Sequence, residues 1–254
     1  GGTPVLVDLA EGSLFPSPEG VKGGISARTR AVVAAHTFGF HAPMSELRET
    51  GVPLIEDASH AIGSECEERP AGQSGAISVI SFAPSMVITT GNGGMVLTDN
   101  SRYYSAMREL RGGPSTERLG FDYTMTDFQA AMGLSQLSRL PDFIRRRREI
   151  SRAYHEAIKT TPHRAPYAFG ESFVYQSFPV LFDAPAEKIE KYWKKSGIEV
   201  LRPFPVALHT HLSLRALDYP NSDRLSKKLY ALPIYPTLTR KEIEKITRAL
   251  GRFV

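Results

Sequence analysis

Two short stretches hold the residues of this chain whose types and spacing could do chemistry. Pro53-Leu54-Ile55-Glu56-Asp57-Ala58-Ser59-His60-Ala61-Ile62-Gly63 sets an acidic pair at the end of an apolar run, with an imidazole three residues after Asp57. A carboxylate at the C-terminal end of a buried strand sits where open α/β sheets bind ligands, and it can hold a proton on a basic nitrogen. The plainer alternative is that Asp57 caps the segment after it and His60 is a satisfied structural residue. Ser81-Phe82-Ala83-Pro84-Ser85-Met86-Val87-Ile88-Thr89-Thr90-Gly91-Asn92-Gly93-Gly94 is the second stretch. The Ser81 hydroxyl can donate to a phosphate oxygen. Met86, five residues on, offers a thioether, which is neither acid nor base and reads as core filler. His36, His41, His209 and His211 show no metal-ligand spacing and read as structural or surface residues; no metal is expected.

These residues need a scaffold, and the pattern around them supplies one. Pro4 to Val7, Ala31 to Ala35, Pro53 to Ile55, Ala76 to Phe82 and Gly94 to Leu97 are short β-branched runs bounded by Gly, Pro or Asp, the signature of buried strands. Met44 to Thr50 reads as a crossover helix closed by Gly51, and Asn100 to Arg111 as an edge helix. Alternation of this kind predicts a mostly parallel sheet covered by helices on both faces. Thr126 and Gln129 have capping-box spacing for a helix to Leu140, striped by Phe128, Ala131, Met132 and Leu134 and stopped by Pro141. Asp142 to Lys159 continues as a long charged helix. The Pro-containing turn from Thr160 to Gly170 suggests a junction, with domains at 1–160 and 161–254. Beyond it, Phe173 to Phe182 reads as a strand, Asp183 as the cap of a helix carrying Ile189 and Trp193, and Val200 as the start of an extended piece. Thr239 and Glu242 form a second capping box for a last helix with Ile243, Ile246 and Leu250 inward.

Composition narrows the classes. The chain has 254 residues, 41% apolar and 23% charged, with a net charge of +4. No apolar run reaches the ~20 residues of a membrane span, and no signal peptide is visible, so no membrane partner is expected. The single cysteine, Cys66, excludes an internal disulfide and fits a cytoplasmic location. Arg145 to Arg148 reads as a solvated helix face followed by Glu149. No aromatic-basic interleaving points to nucleic acid.

The Ser81 stretch resembles the cofactor segment of the DegT/StrS-type sugar aminotransferases, which use pyridoxal phosphate (PLP) to aminate keto-sugars carried on nucleotides. That segment reads Ser-Phe, three variable residues, Lys, then Ile-Thr-Thr-Gly-Glu-Gly-Gly. The Pro53 stretch resembles the family's strand whose Asp pairs with the pyridine nitrogen of PLP. Ala31-Val32-Val33-Ala34-Ala35-His36-Thr37-Phe38-Gly39, Gly197-Ile198-Glu199-Val200 and Leu232-Pro233-Ile234-Tyr235-Pro236 extend the likeness over essentially the whole chain. The resemblance implies the PLP-dependent aminotransferase type I fold, a large α/β domain plus a small C-terminal α+β domain. It implies Asp57 at the pyridine nitrogen, His60 against the ring and Ser81 at the phosphate.

Where the chain departs from the family, it departs at the chemistry. Met86 takes the place of the lysine that forms the Schiff base and shuttles the proton. General acid-base help alone is typically worth ~10²–10⁴-fold, and a thioether supplies none. Gly120-Phe121-Asp122-Tyr123-Thr124-Met125 resembles a Gly-Tyr-Asn-Tyr-Arg-Met segment whose Asn reaches the phosphate in the neighbouring subunit. Asp122 would set a carboxylate beside a phosphate, Thr124 removes a cation, and Asn92 replaces a Glu. The family also carries several dozen residues before the strand matched by Pro4 to Val7, including a phosphate-binding turn. The expectation is that they lie outside this sequence, which starts at Gly1, or that the flanking strands pair directly. The resemblance thus implies a degenerate homologue for surface-polysaccharide or modified-sugar biosynthesis, binding PLP or PMP only noncovalently, as a homodimer or beside an active paralogue, with a nucleotide-sugar as a possible ligand. The alternatives are an active PLP/PMP aminotransferase or dehydratase by an altered route, with His60 as the base, and a non-catalytic binding or partner subunit.

Overall fold

The structure is a computed structural model that describes residues 2–66, 68–112 and 120–253. Along the chain come α1 (Pro18–Gly24), β1 (Val32–Ala35), α2 (Met44–Arg48), β2 (Leu54–Asp57), β3 (Glu65–Cys66), β4 (Arg69–Pro70), β5 (Ile77–Ser81) and β6 (Gly94–Leu97). They are followed by α3 (Ser101–Leu110), α4 (Asp127–Ser138), α5 (Leu140–Ile158), β7 (Phe178–Leu181), α6 (Ala186–Lys195), α7 (Leu208–His211), α8 (Pro220–Lys228), β8 (Leu229–Leu232) and α9 (Arg240–Arg252). The chain forms two compact units. One holds 29–144 and 172–174; the other holds 1–28, 145–171 and 175–254. The turn at 160–170 lies inside the second of these.

The first unit is built on a four-stranded sheet in the order β1-β2-β5-β6. The first three strands run parallel, with Ala35, Asp57 and Val79 side by side. β6 returns antiparallel along β5. Four of the five runs expected to be strands are therefore strands. They are not all buried. β2 and β5 alternate inward and outward, while β6 is largely exposed and Val33 in β1 is 68% exposed. A strand is buried on both faces only where helices cover both, and these edge strands lack that cover. Ala58, Ile80, Phe82 and Ile88 form the core under the sheet, joined by Met125, Leu140 and Phe143. Gly51 turns the chain out of α2 with φ +70°, a conformation glycine adopts without steric cost.

Pro4 to Val7 is not a strand, and among the described residues no strand pairs with the outer edge of β1. The direct pairing envisaged for a reduced sheet does not occur. This segment belongs to the other unit. There the Asp8 carboxylate accepts hydrogen bonds from the backbone N–H of Asn221 and of Ser222, both 2.9 Å, and from the Ser222 hydroxyl at 2.6 Å. Asp8 thus satisfies orphan donors at the start of α8, where Tyr219 gives no side-chain cap.

Both capping boxes form as spaced, on α4 and α9. Pro141 does not act as a stop; it stands in the first turn of α5, where its missing N–H costs nothing. The Phe128 stripe is not inward either. α4 has no buried residue. Asp183 does not cap α6; its carboxylate faces Lys228 at 3.4 Å, and the cap position is Pro185. Of the run from Phe173 to Phe182, only Phe178–Leu181 pairs as a strand, with β8. Around β7 and β8 the second unit packs its aromatics edge to face, Tyr154 on Phe178 at 5.1 Å and Phe182 on Phe253 at 5.5 Å.

Candidate active site at the C-terminal edge of the parallel strands

β2 and β5 run parallel, so their last residues, Asp57 and Ser81, emerge at one end of the sheet. This is the edge where an open α/β sheet offers its loops to a ligand. Asp57 is half-buried, and one carboxylate oxygen accepts the N–H of Ser59 at 3.0 Å. The local turn that the plainer reading of Asp57 proposed is therefore present.

His60 follows in the turn after β2. Its Nδ1 accepts the backbone N–H of Phe38 at 3.2 Å, so the neutral ring carries its proton on Nε2. The Phe38 ring stacks at 6.3 Å. Burial pushes the His60 pKa below the ordinary histidine range, with Asp57 pulling the other way. Phe38 is held at φ +60°, an uncommon backbone for a bulky residue, and no sequence signal announces it. That conformation aims its N–H at the imidazole.

The Ser81 hydroxyl accepts the N–H of Ala83 at 3.2 Å, opening the loop that carries Met86. Phe82 closes the loop on itself: its N–H bonds to Gly93 O at 2.9 Å, and its C=O takes the N–H of Thr90 at 3.1 Å and the hydroxyl of Thr89 at 2.9 Å. Inside, Val87 and Ile88 are buried, which pins the loop to the core. Met86 is only half-buried, so it is not core filler. The expectation fails because the loop buries Val87, Ile88 and Thr90 in its place. Asn92 closes the loop structurally, its C=O accepting the side-chain amide of Gln129 at 3.1 Å. Asp122 is exposed, with its carboxylate accepting the Thr124 hydroxyl at 2.7 Å.

Glu56, the neighbour of Asp57, points the other way. It is fully buried and accepts His36 Nε2 at 2.8 Å, the N–H groups of Gly72, Ser74 and Gly75, and the Ser78 hydroxyl. Burial pushes its pKa up, but these donors outweigh it and hold the carboxyl at about 2. The acidic pair therefore divides its work. Glu56 clamps the 72–75 turn beneath the sheet, and Asp57 faces the edge. His36, expected to be structural, is. Among the described residues no cluster of three His, Cys, Asp or Glu could hold a metal.

A model of the DegT/DnrJ/EryC1/StrS aminotransferase family matches residues 1–251. Among solved structures, S. venezuelae DesV superposes with a TM-score of 0.91 at 25% identity, over 98% of this chain and 71% of its own. The aminotransferase TlmJ from Streptoalloteichus hindustanus gives 0.90 at 26% identity, over 98% and 72%. Spr1654 from Streptococcus pneumoniae, in its PMP form, gives 0.90 at 19% identity, over 99% and 76%.

The donor set can be set against such a cofactor. Asp57 suits a protonated ring nitrogen, and His60 offers a neutral ring with its proton on Nε2. A covalent link to the cofactor aldehyde needs an amine. Met86 has none, and no lysine occurs anywhere between Lys22 and Lys159, which leaves the whole unit of 29–144 without one. These residues fit the ring and do not fit its covalent attachment.

Proposed function

The chain belongs to the DegT/DnrJ/EryC1/StrS aminotransferase family, and from that premise we propose that it is a member that no longer transaminates on its own. One observation carries the reading: the unit with the ligand-facing sheet edge holds no lysine, and the loop position of the family lysine is Met86. PLP, when bound, supplies an electron sink and an aldehyde. This chain can hold such a ring only through noncovalent contacts, with Asp57 on the ring nitrogen, His60 against the ring and Ser81 toward the phosphate. No step of transamination is available to it, because no side chain at Met86 can take or return a proton.

The role proposed is that of a degenerate homologue of the nucleotide-sugar aminotransferases, acting in surface-polysaccharide or modified-sugar biosynthesis. It binds a nucleotide-sugar or supports an active, lysine-bearing paralogue. Association with a second copy or with that paralogue is supported by α4, a helix with no buried residue that exposes Phe128 by 75% and Leu134 by 69%. Asp122 and Thr124 lie on the segment leading into that helix, and an exposed carboxylate there disfavours a phosphate from a neighbouring site.

The test is a PLP titration of the wild type and of Met86→Lys, read by absorbance and by borohydride trapping. The wild type should trap no cofactor, and the variant should. Covalent trapping or turnover by the wild type alone would overturn the proposal.

A further inference from the structure

We infer that His163 is an acid-released latch for the last helix, α9. His163 stands in the turn after α5, and its ring joins two other parts of the same unit. Nε2 lies 2.9 Å from the carbonyl oxygen of Phe253, at the end of α9. Nδ1 accepts the backbone N–H of Asp183, just past β7, at 3.1 Å. A carbonyl can only accept and a backbone N–H can only donate. One ring nitrogen must therefore carry a proton and the other must not, so the latched ring is neutral, with its proton on Nε2.

What Phe253 covers gives the latch its consequence. Its side chain is 1% exposed and stacks on the His163 ring at 5.0 Å. It also packs against Tyr192 at 4.7 Å and Phe182 at 5.5 Å, with Trp193 at 6.4 Å. Phe253 follows the last turn of α9 as its cap residue, and its own N–H bonds to Ala249 O at 3.1 Å. Ile246 and Leu250 on α9, and Ile189 on α6, are buried as well. Freeing Phe253 loosens the end of the helix and opens this aromatic cluster to water.

A second proton on the ring undoes the arrangement. On Nδ1 it faces the Asp183 N–H, which turns a hydrogen bond into a contact between two donors. It also places a cation in a site 4% exposed. The charged groups facing the ring act in opposite senses. Asp183 favours the imidazolium, and Lys188 on α6 disfavours it. Lys228, at the end of α8, draws the Asp183 carboxylate at 3.4 Å. Phe182 and Phe253 present neutral rings.

Burial outweighs the Phe253 carbonyl and the Asp183 charge and holds the His163 pKa below the ordinary 6.5. The latched ring thus binds fewer protons than a freed one. The latch is at full strength above pH 6.5 and weakens as pH falls below it. Between the freed and the latched pKa the opening equilibrium rises by up to about tenfold per pH unit. The latch lies wholly within the second unit and is independent of the reading of Met86.

The experiment is hydrogen exchange of the full chain between pH 7 and 5, with each rate divided by that of an unstructured peptide at the same pH. Protection over 246–253 should fall about tenfold across that interval, while 77–81 in the other unit stays within about twofold. The fluorescence of Trp193, the single tryptophan of the chain, should shift to the red over the same interval. His163→Gln keeps a donor for Phe253 O and cannot titrate. It should be less protected at pH 7 and change by less than about twofold on acidification. His155→Gln removes another buried histidine of this unit, packed on Phe178 at 5.0 Å, and should keep the wild-type response. Asp183→Asn keeps the backbone N–H but removes the charge that favours the imidazolium, so it should enlarge the response. That variant tests the latch even if His163→Gln folds poorly. No change with pH, equal loss of protection in both units, a wild-type response in His163→Gln, a lost response in His155→Gln or a smaller one in Asp183→Asn would each overturn the inference.

Discussion

His36 and Glu56 are joined by a 2.8 Å hydrogen bond with both side chains sealed from solvent, and the second imidazole nitrogen accepts the N–H of Ala42 at 3.1 Å. The proton therefore sits on Nε2 and is given to the carboxylate. Glu56 in turn gathers the 72–75 turn. A Cβ on Gly75 would come within 2.8 Å of the Glu56 Cβ, so the turn and the carboxylate are fitted to each other. Glu56→Gln puts an amide donor among backbone donors and should cost about 3 kcal/mol in urea unfolding. The acid limb follows from the depressed pKa. The stabilisation is fully present above the ordinary glutamate value of 4.5 and is lost as pH falls toward about 2. Wild type and variant should converge in stability over that window; a constant difference down to the lower value would refute the clamp.

Arg147 carries a second buried polar hub. Its Nη1 donates to the carbonyls of Tyr175, Gln176 and Ile234 at 3.1, 3.0 and 2.9 Å, and burial lowers its pKa to about 10. Arg147→Met keeps most of the volume and leaves these carbonyls without the donor. It should lower the unfolding free energy by about 3 kcal/mol. A loss below about 0.5 kcal/mol would mean that water replaces the guanidinium.

Asp8 caps α8 from more than two hundred residues away. Asp8→Ala should cost about 1–2 kcal/mol, as helix caps do. Its hydrogen bonds to Ser222 and Asn221 outweigh burial and hold its pKa below the ordinary 3.8. The contribution is therefore present above that value and fades as pH drops below it. Denaturation of wild type and variant at pH 7 and near pH 3 would show the gap closing; a gap that widens in acid would contradict the assignment.

α4 should be an association surface. Light scattering behind size exclusion should find the wild type larger than one chain at micromolar concentration. Phe128→Glu with Leu134→Glu should shift it to the monomer without loss of helix content, because neither side chain contributes to a core. A wild type that remains monomeric at all concentrations would leave α4 to an unlike partner.

Much of the architecture is written locally. Thr126 with Gln129 and Thr239 with Glu242 start their helices because a side chain and a backbone N–H three residues apart satisfy each other in any context. The runs ending at Ala35, Asp57 and Ser81 pair as strands because β-branched residues between breakers have few other options. The absence of an amine at Met86, and of any lysine from Lys22 to Lys159, needs no structure to be read.

Partners and exposure were decided by tertiary structure. Pro4 to Val7 has the composition of a strand but pairs with no strand among the described residues, and Asp8 after it went to α8 instead. The stripe on α4 has helical spacing and still lies in solvent, since periodicity says which residues share a face and not what covers it. Two adjacent carboxylates, Glu56 and Asp57, look alike in the sequence. Successive strand residues point to opposite faces, so one became a buried clamp and the other came to stand half-buried at the C-terminal edge of the parallel strands. Phe38 was placed on His60 by a left-handed turn that no local preference favours. It persists because the surrounding contacts over-determine it.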